Sequence, residues 1–138
     1  QYGKKWFSYR GNLFVSFFFK LENLSVSLKS LTKINCLLVR QLLSFYYKGE
    51  IIYKNPNDLL INKKKICGIL QETLTKFDKK YLIVGIGINL IKNPNIKNYP
   101  TTNLFKLSKI KIKKKIIENQ LKKIFERKLT ELYKKKVI

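Results

Sequence analysis

The sequence predicts one α+β domain, a mixed β-sheet flanked by helices, and three observations lead there. Short apolar, strand-like runs stand at residues 13–20, 51–54, 59–61, 66–70 and 81–90. Two longer stretches, residues 25–48 and 111–136, carry apolar side chains at helical spacing. The two kinds of segment do not alternate strictly, which sets the chain apart from a repeated strand–helix–strand design. At 138 residues the chain is long enough for one hydrophobic core, and no internal repeat or long linker divides it.

Each element has its own signature. Residues 1–10 are basic and polar, with Gly3 and Trp6, and read as a loop. Gly11 and Asn12 turn the chain into the first strand, where Leu13, Val15, Phe17 and Phe19 alternate with Phe14, Ser16 and Phe18. Both sets are largely apolar, so this strand is expected to be covered on both sides. In the first helical stretch Leu24, Leu28, Leu31, Leu38, Leu42 and Phe45 recur at spacings of three, four or seven, and Gly49 supplies the stop. Asn55-Pro56-Asn57-Asp58 breaks the second strand by turn chemistry, and Asn62-Lys63-Lys64 joins the third and fourth into a hairpin. A loop with Pro94 and Pro100 follows the fifth strand. The closing helix is lysine-rich and carries Ile112, Ile116, Ile117, Leu121, Ile124, Leu129 and Leu132.

Composition narrows the function classes. A hydrophobic fraction of 45% with 13% aromatics belongs to a globular chain and not to a disordered tail. There is no apolar run near the roughly 20 residues of a membrane span, and no signal-peptide pattern. Cys36 and Cys67 lie in apolar patterns and read as buried thiols of a reducing, cytoplasmic compartment. The net charge of +22 points to a polyanion partner. Yet only Arg10, Arg40 and Arg127 are arginines, whereas specific nucleic-acid readers lean on arginine forks. A lysine-biased, solvated surface explains the same charge, and a lysine-rich nucleic-acid-binding module stays as the alternative class.

Three segments carry more than their secondary structure requires. In Gly3-Lys4-Lys5-Trp6, two lysines beside a permissive glycine make an anion site, and Trp6 offers a flat face to a ring. A basic loop with one anchoring aromatic accounts for these residues equally well. In the second segment Lys54 closes a strand before Asn55-Pro56-Asn57-Asp58, and Lys65-Ile66-Cys67-Gly68-Ile69-Leu70 follows. A lysine there is costly to desolvate unless it meets an anion such as a ligand phosphate or carboxylate. Pro56 and the Asx side chains of Asn57 and Asp58 stiffen the turn, and Gly68 within a strand marks a close approach. Taken alone, the segment reads more simply as a hairpin entry with a snorkelling lysine. In the third, Gly85 and Gly87 alternate along one strand face and leave a flat surface, with Asn89 on the same face as a hydrogen-bonding group. The third glycine of a dinucleotide fingerprint is missing, and a lone Gly-x-Gly is weak.

In order, these segments resemble the signatures of the biotin protein ligase family. The series runs Gly3-Lys4-Lys5-Trp6, Gly11-Asn12-Leu13, Lys54-Asn55-Pro56-Asn57-Asp58, Lys65-Ile66-Cys67-Gly68-Ile69-Leu70, Gly85-Ile86-Gly87-Ile88-Asn89 and Thr101-Thr102-Asn103-Leu104. Asn55 stands where the family carries tryptophan. The sister lipoate ligases rely on a histidine-containing motif, and this chain has no histidine.

The resemblance implies a fold related to class II aminoacyl-tRNA synthetase cores and a two-step reaction. ATP activates the biotin carboxylate as biotinyl-5′-AMP, and a lysine of a biotin carboxyl carrier protein then attacks it. It implies ATP, Mg²⁺ and biotin as ligands, with no membrane and no specific nucleic acid. Lys54 is implied as the catalytic cation on the biotin carboxylate and α-phosphate. Lys4 is implied on the phosphate, Trp6 on the adenine, and Asn89 on the nucleotide or its Mg²⁺. Asn57, Asp58 and Gly68 complete the adenylate site, and Gly85 and Gly87 give the adenylate room. Against the family pattern, residues 1–138 read as a partial catalytic domain. It is expected to begin inside the first ligand loop, to lack a DNA-binding domain and a C-terminal β-barrel, and to be either a piece of an active ligase or an inactive piece retaining the fold.

Overall fold

The structure is a computed structural model that describes residues 11–22 and 25–132. Its elements are β1 (Leu13–Lys20), α1 (Leu28–Leu43), β2 (Ile52–Lys54), β3 (Asp58–Ile61), β4 (Lys64–Lys76), β5 (Lys79–Ile88), α2 (Leu104–Ser108) and α3 (Lys114–Leu132). The strands form one sheet in the order β1-β5-β4-β3-β2. Every named pair is antiparallel. The α+β class is as the sequence predicts. The mixed character expected of the sheet comes down, among the described residues, to an isolated parallel bridge between Lys65 and Thr101.

Strand alternation builds the core. Leu13, Phe19, Leu82, Val84, Ile86, Ile88, Cys67, Ile69 and Leu59 are buried on one face of the sheet, where α1 and α3 pack. Phe17 stacks on Phe125 of α3 with ring centres 4.6 Å apart. Asn35, a buried polar residue on the apolar stripe of α1, donates from Nδ2 to Gln71 Oε1 of β4 at 2.9 Å. The Tyr46 hydroxyl donates to Gln120 and ties the end of α1 to α3.

Several sequence expectations change. Among the described residues β1 is covered by helices on one face, and on the opposite pleat Phe14 and Phe18 are 43% and 66% exposed. In the first helix Leu28 lies at the exposed start and Phe45 beyond the end, so the buried stripe is Leu31, Asn35, Cys36, Val39, Leu42 and Leu43. Leu24, and the chain beyond residue 132, lie outside the described residues. The β4–β5 ribbon is longer than the apolar pattern suggests, because its outer part, residues 73–80, is exposed and polar apart from Leu74 and Phe77. Phe77 and Asp78 close that ribbon with φ of 50° and 62°, and Asn62 and Lys63 close β3–β4 with 52° and 64°. Both are two-residue turns with two left-handed residues, formed without the usual glycine. α2 is a five-residue helix that residue patterns did not announce; Asn103 caps it, Oδ1 accepting from Lys106 N at 2.8 Å.

Candidate functional site

The antiparallel register draws the sequence motifs into one row. Phe14 lies opposite Gly87, Gly87 opposite Gly68, Gly68 opposite Asp58, and Asp58 opposite Lys54. Beside it runs Ser16, Gly85 and Leu70. These positions share the pleat facing away from the helices, so the glycines leave a bare patch of backbone in the centre of the sheet. A Cβ on Gly85 would meet only ordinary contacts, 3.8–3.9 Å from Leu70 and Ser16. The bareness there is therefore not forced by packing.

A cleft of about 130 Å³ lies over this patch. Its floor and walls include Asn12, Phe14, Asn57, Asp58, Lys65, Gly68, Gly87 and Asn89, and the loop after β5 adds Pro94, Ile96 and Thr101. Of the residues singled out from sequence, the structure gathers Asn57, Asp58, Gly68, Gly87 and Asn89. Gly85 is buried one row away. Lys4 and Trp6 lie outside the described residues.

The structure puts two lysines at the Asp58 end, and they differ. Lys54 does not line the cleft; its Nζ stands 5.7 Å from the centre of the Tyr99 ring. Lys65 lines it, with Nζ 3.2 Å from Asp58 Oδ1 and 5.4 Å from the same ring. Lys65 reaches this face through a bulge. Leu59 pairs with Cys67 but Leu60 with Lys65, so Ile66 is the extra residue. Lys65 and Gly68 are three apart, and strict alternation would put them on opposite faces. That is why sequence reasoning passed over Lys65, although it opens a buried strand.

Tyr99 had no sequence signal, being 41 residues from its partner. Its hydroxyl donates to Asp58 Oδ2. Burial first, then the hydrogen bond to Asp58 and that residue's charge, push the phenol up to about 12.

The remaining polar groups are mostly committed to holding the cleft. Asn12, 4% exposed, accepts at Oδ1 from the backbone N–H of Leu90 (3.0 Å), Ile91 (2.9 Å) and Lys92 (3.2 Å). Its Nδ2 donates to Lys92 O at 2.8 Å. Gly11 precedes it with φ of 91°, and a Cβ there would meet Ile91 Cδ1 at 2.3 Å. The Gly-Asn pair is thus a clamp on the chain leaving β5. Asn57 Nδ2 donates to Ile69 O at 2.8 Å, tying the turn to β4. Asn89 Nδ2 donates to Thr102 O at 3.1 Å. With one of its two amide N–H donors engaged there, Asn89 keeps the other N–H and its Oδ1 acceptor for a ligand. Among the described residues no three His, Cys, Asp or Glu side chains group as a metal site, and no helix is long and apolar enough to cross a membrane.

A row of glycines closed at one end by a lysine–carboxylate pair thus forms the floor of the cleft. The model of the biotin/lipoate A/B protein ligase family matches residues 1–89, and the chain belongs to that family. Among its relatives is the bifunctional ligase/repressor BirA of Escherichia coli, 32% identical over 90 residues, covering 64% of this chain and 28% of that protein. The biotin protein ligase of Aquifex aeolicus, solved in complex with biotin and ATP, superimposes with a TM-score of 0.79 at 28% identity, over 95% of this chain and 55% of that one. The biotin protein ligase of Leishmania major, in complex with biotinyl-5-AMP, shares the fold with a TM-score of 0.76 at 23% identity, over 94% of this chain and 59% of that one. The chain thus spans little more than a quarter of the E. coli protein and about half of the Aquifex structure.

Proposed function

We propose that this chain provides the adenylate-forming face of a biotin protein ligase, which joins biotin to a lysine of a biotin carboxyl carrier protein at the expense of ATP. The observation that carries the reading is the glycine patch of Gly68 and Gly87, closed at one end by Lys65 and Asp58. The Aquifex relative bound to biotin and ATP supports it. In the first step a biotin carboxylate oxygen attacks the α-phosphorus of ATP, a P–O bond forms, and pyrophosphate leaves. In the second, the carrier lysine amine attacks the acyl carbon and AMP leaves.

Both steps build negative charge at one place, where a fixed cation in a water-poor site stabilises the transition state most. We assign that charge to Lys65, which lines the cleft, with Lys54 as the outer cation beyond Tyr99. Asp58 holds Lys65 in place. Gly68 and Gly87 keep the floor clear with Gly85 one row away, Asn57 fixes the turn, and Asn89 meets the nucleotide. Lys4 and Trp6 are assigned to the phosphate and the adenine. A Mg²⁺ ion, held chiefly by ATP phosphates and water, would find in Asn89 Oδ1 a suitable neutral oxygen. It would supply charge neutralisation on the phosphates.

The reading is tested by melting the intact protein with biotinyl-5′-AMP. Ligand at 100 times its Kd adds about 2.7 kcal/mol, which a thermal scan resolves easily. No shift with the adenylate, and none with biotin plus ATP, would contradict the assignment.

A further inference from the structure

We propose that Tyr99 is a positioning residue that aims Lys65 and Asp58 at the cleft; this rests on the ligase reading and deepens it. Three independent contacts converge on the side chain. Its hydroxyl takes one oxygen of Asp58, Oδ2, which leaves Oδ1 to the Lys65 ammonium at 3.2 Å. Its ring faces the ammonium groups of both Lys65 and Lys54, at 5.4 and 5.7 Å from the centroid. Finally, the segment that follows it is stitched to Lys65 itself: Lys65 N donates to Pro100 O and Thr102 N donates to Lys65 O, each at 2.9 Å. The backbone of Lys65 is thus bracketed by Pro100 and Thr102, which directly follow the tyrosine whose ring faces its ammonium.

The loop is built to present this tyrosine. Tyr99 N donates to Ile96 O at 3.2 Å, and Asn98 between them is left-handed, with φ of 61°. Below the turn, Asn93 Nδ2 donates to Thr101 Oγ1 at 2.8 Å and Asn103 Nδ2 to Asn93 Oδ1 at 2.6 Å. A lysine has a long flexible stem and no preferred direction for its charge. One carboxylate oxygen blocked by a phenol, and one face covered by a ring, leave the ammonium a single well-defined station beside the glycine floor. A carboxylate or phosphoryl oxygen arriving there meets a cation already in place, the condition under which electrostatic catalysis is strongest.

The test compares the intact wild-type protein with Tyr99→Leu and Tyr99→Phe by two readouts. The first is trace acylation of lysine amines without ligands, read by peptide mass spectrometry with Lys65 normalised to the exposed Lys114. Losing the ring should raise Lys65 labelling about two- to fivefold in Tyr99→Leu, the factor equivalent to one exposed cation–π contact. Tyr99→Phe, which keeps the ring, should stay within about twofold of wild type on the same principle. A general loss of folding would instead raise all lysines together. The second readout is biotin-dependent exchange of pyrophosphate into ATP: kcat should fall about tenfold in Tyr99→Leu and about threefold in Tyr99→Phe, with the KM for biotin little changed. Unchanged Lys65 labelling in folded Tyr99→Leu overturns the proposal. Should Tyr99→Leu not fold, Tyr99→Phe decides alone, a wild-type kcat overturning it and the threefold loss supporting it. If the wild-type protein shows no exchange, the ligase reading fails, while the labelling still decides whether Tyr99 aims Lys65.

Discussion

Replacing Asn12 by alanine should unlatch the chain where it leaves β5, and the cost follows from four hydrogen bonds. The Leu90 N–H is buried with its residue, at 1% exposure, and has Asn12 Oδ1 as its acceptor at 3.0 Å. Leaving such a group without a partner costs about 1–3 kcal/mol. Ile91 is half-buried and Lys92 exposed, so water replaces much of what their N–H groups lose, at about 0.5 kcal/mol each. The Nδ2 bond to Lys92 O adds about 0.5–1 kcal/mol. The total is about 2.5–5 kcal/mol, and with a urea slope of about 2 kcal/mol/M the midpoint should fall by roughly 1.2–2.5 M. Asn12→Asp keeps the oxygen that faces the three N–H groups and loses only the Nδ2 donor, so it should cost about 0.5–1 kcal/mol. Equilibrium urea unfolding followed by tryptophan fluorescence and far-UV circular dichroism reads all three proteins. An Asn12→Ala midpoint within about 0.3 M of wild type would refute the reasoning, because that shift is smaller than one buried N–H left unpaired.

Two further effects follow from the same structure. Phe125, 1% exposed and stacked on Phe17, joins α3 to the sheet, so Phe125→Ala should destabilise by about 3–5 kcal/mol, measured by the same urea titration. Alkaline pH should weaken the fold: burial, reinforced by the Asp58 charge, pushes the Cys36 thiol up from 9.0 to about 12. A group whose folded value is raised contributes its full stability below its unfolded value and loses it as pH climbs to the folded one. The urea midpoint should therefore decline between pH 9 and 12, and Cys36→Ala should remove part of that slope; identical slopes would exclude the thiol as a contributor.

What the residues revealed, and what they withheld, has a physical pattern. β1, α1 and the core part of β5 were legible because buried faces enforce apolar periodicity, as in Leu13, Phe19, Leu82 and Ile86. The outer part of the β4–β5 ribbon was not, since exposed Thr73, Thr75 and Lys76 carry no apolar signature and Phe77-Asp78 turns without glycine. Phe14 and Phe18 misled in the opposite direction: they are apolar and exposed, and no periodicity distinguishes an aromatic beside a cleft from one in a core. In the site, Asp58, Gly68, Gly87 and Asn89 came from motifs and were brought together by strand register. Lys65 was hidden by a bulge that reverses its face, and Tyr99 by distance along the chain. Lys54 drew attention as the strand-closing lysine, while its ammonium sits outside the cleft lining, over the Tyr99 ring. Asn12 was read as part of a turn; its real work is a four-bond clamp that spans 78 to 80 residues of sequence.

The measurement closest to the central claim is biotin-dependent exchange of radiolabelled pyrophosphate into ATP by the intact protein, run beside Lys65→Ala and Lys54→Ala. Exchange should require biotin, fall by about 10²–10³ in Lys65→Ala, in line with removal of a fixed transition-state cation, and fall by about tenfold or less in Lys54→Ala. Exchange that ignores biotin, or a Lys65→Ala protein that exchanges at the wild-type rate, would contradict the account.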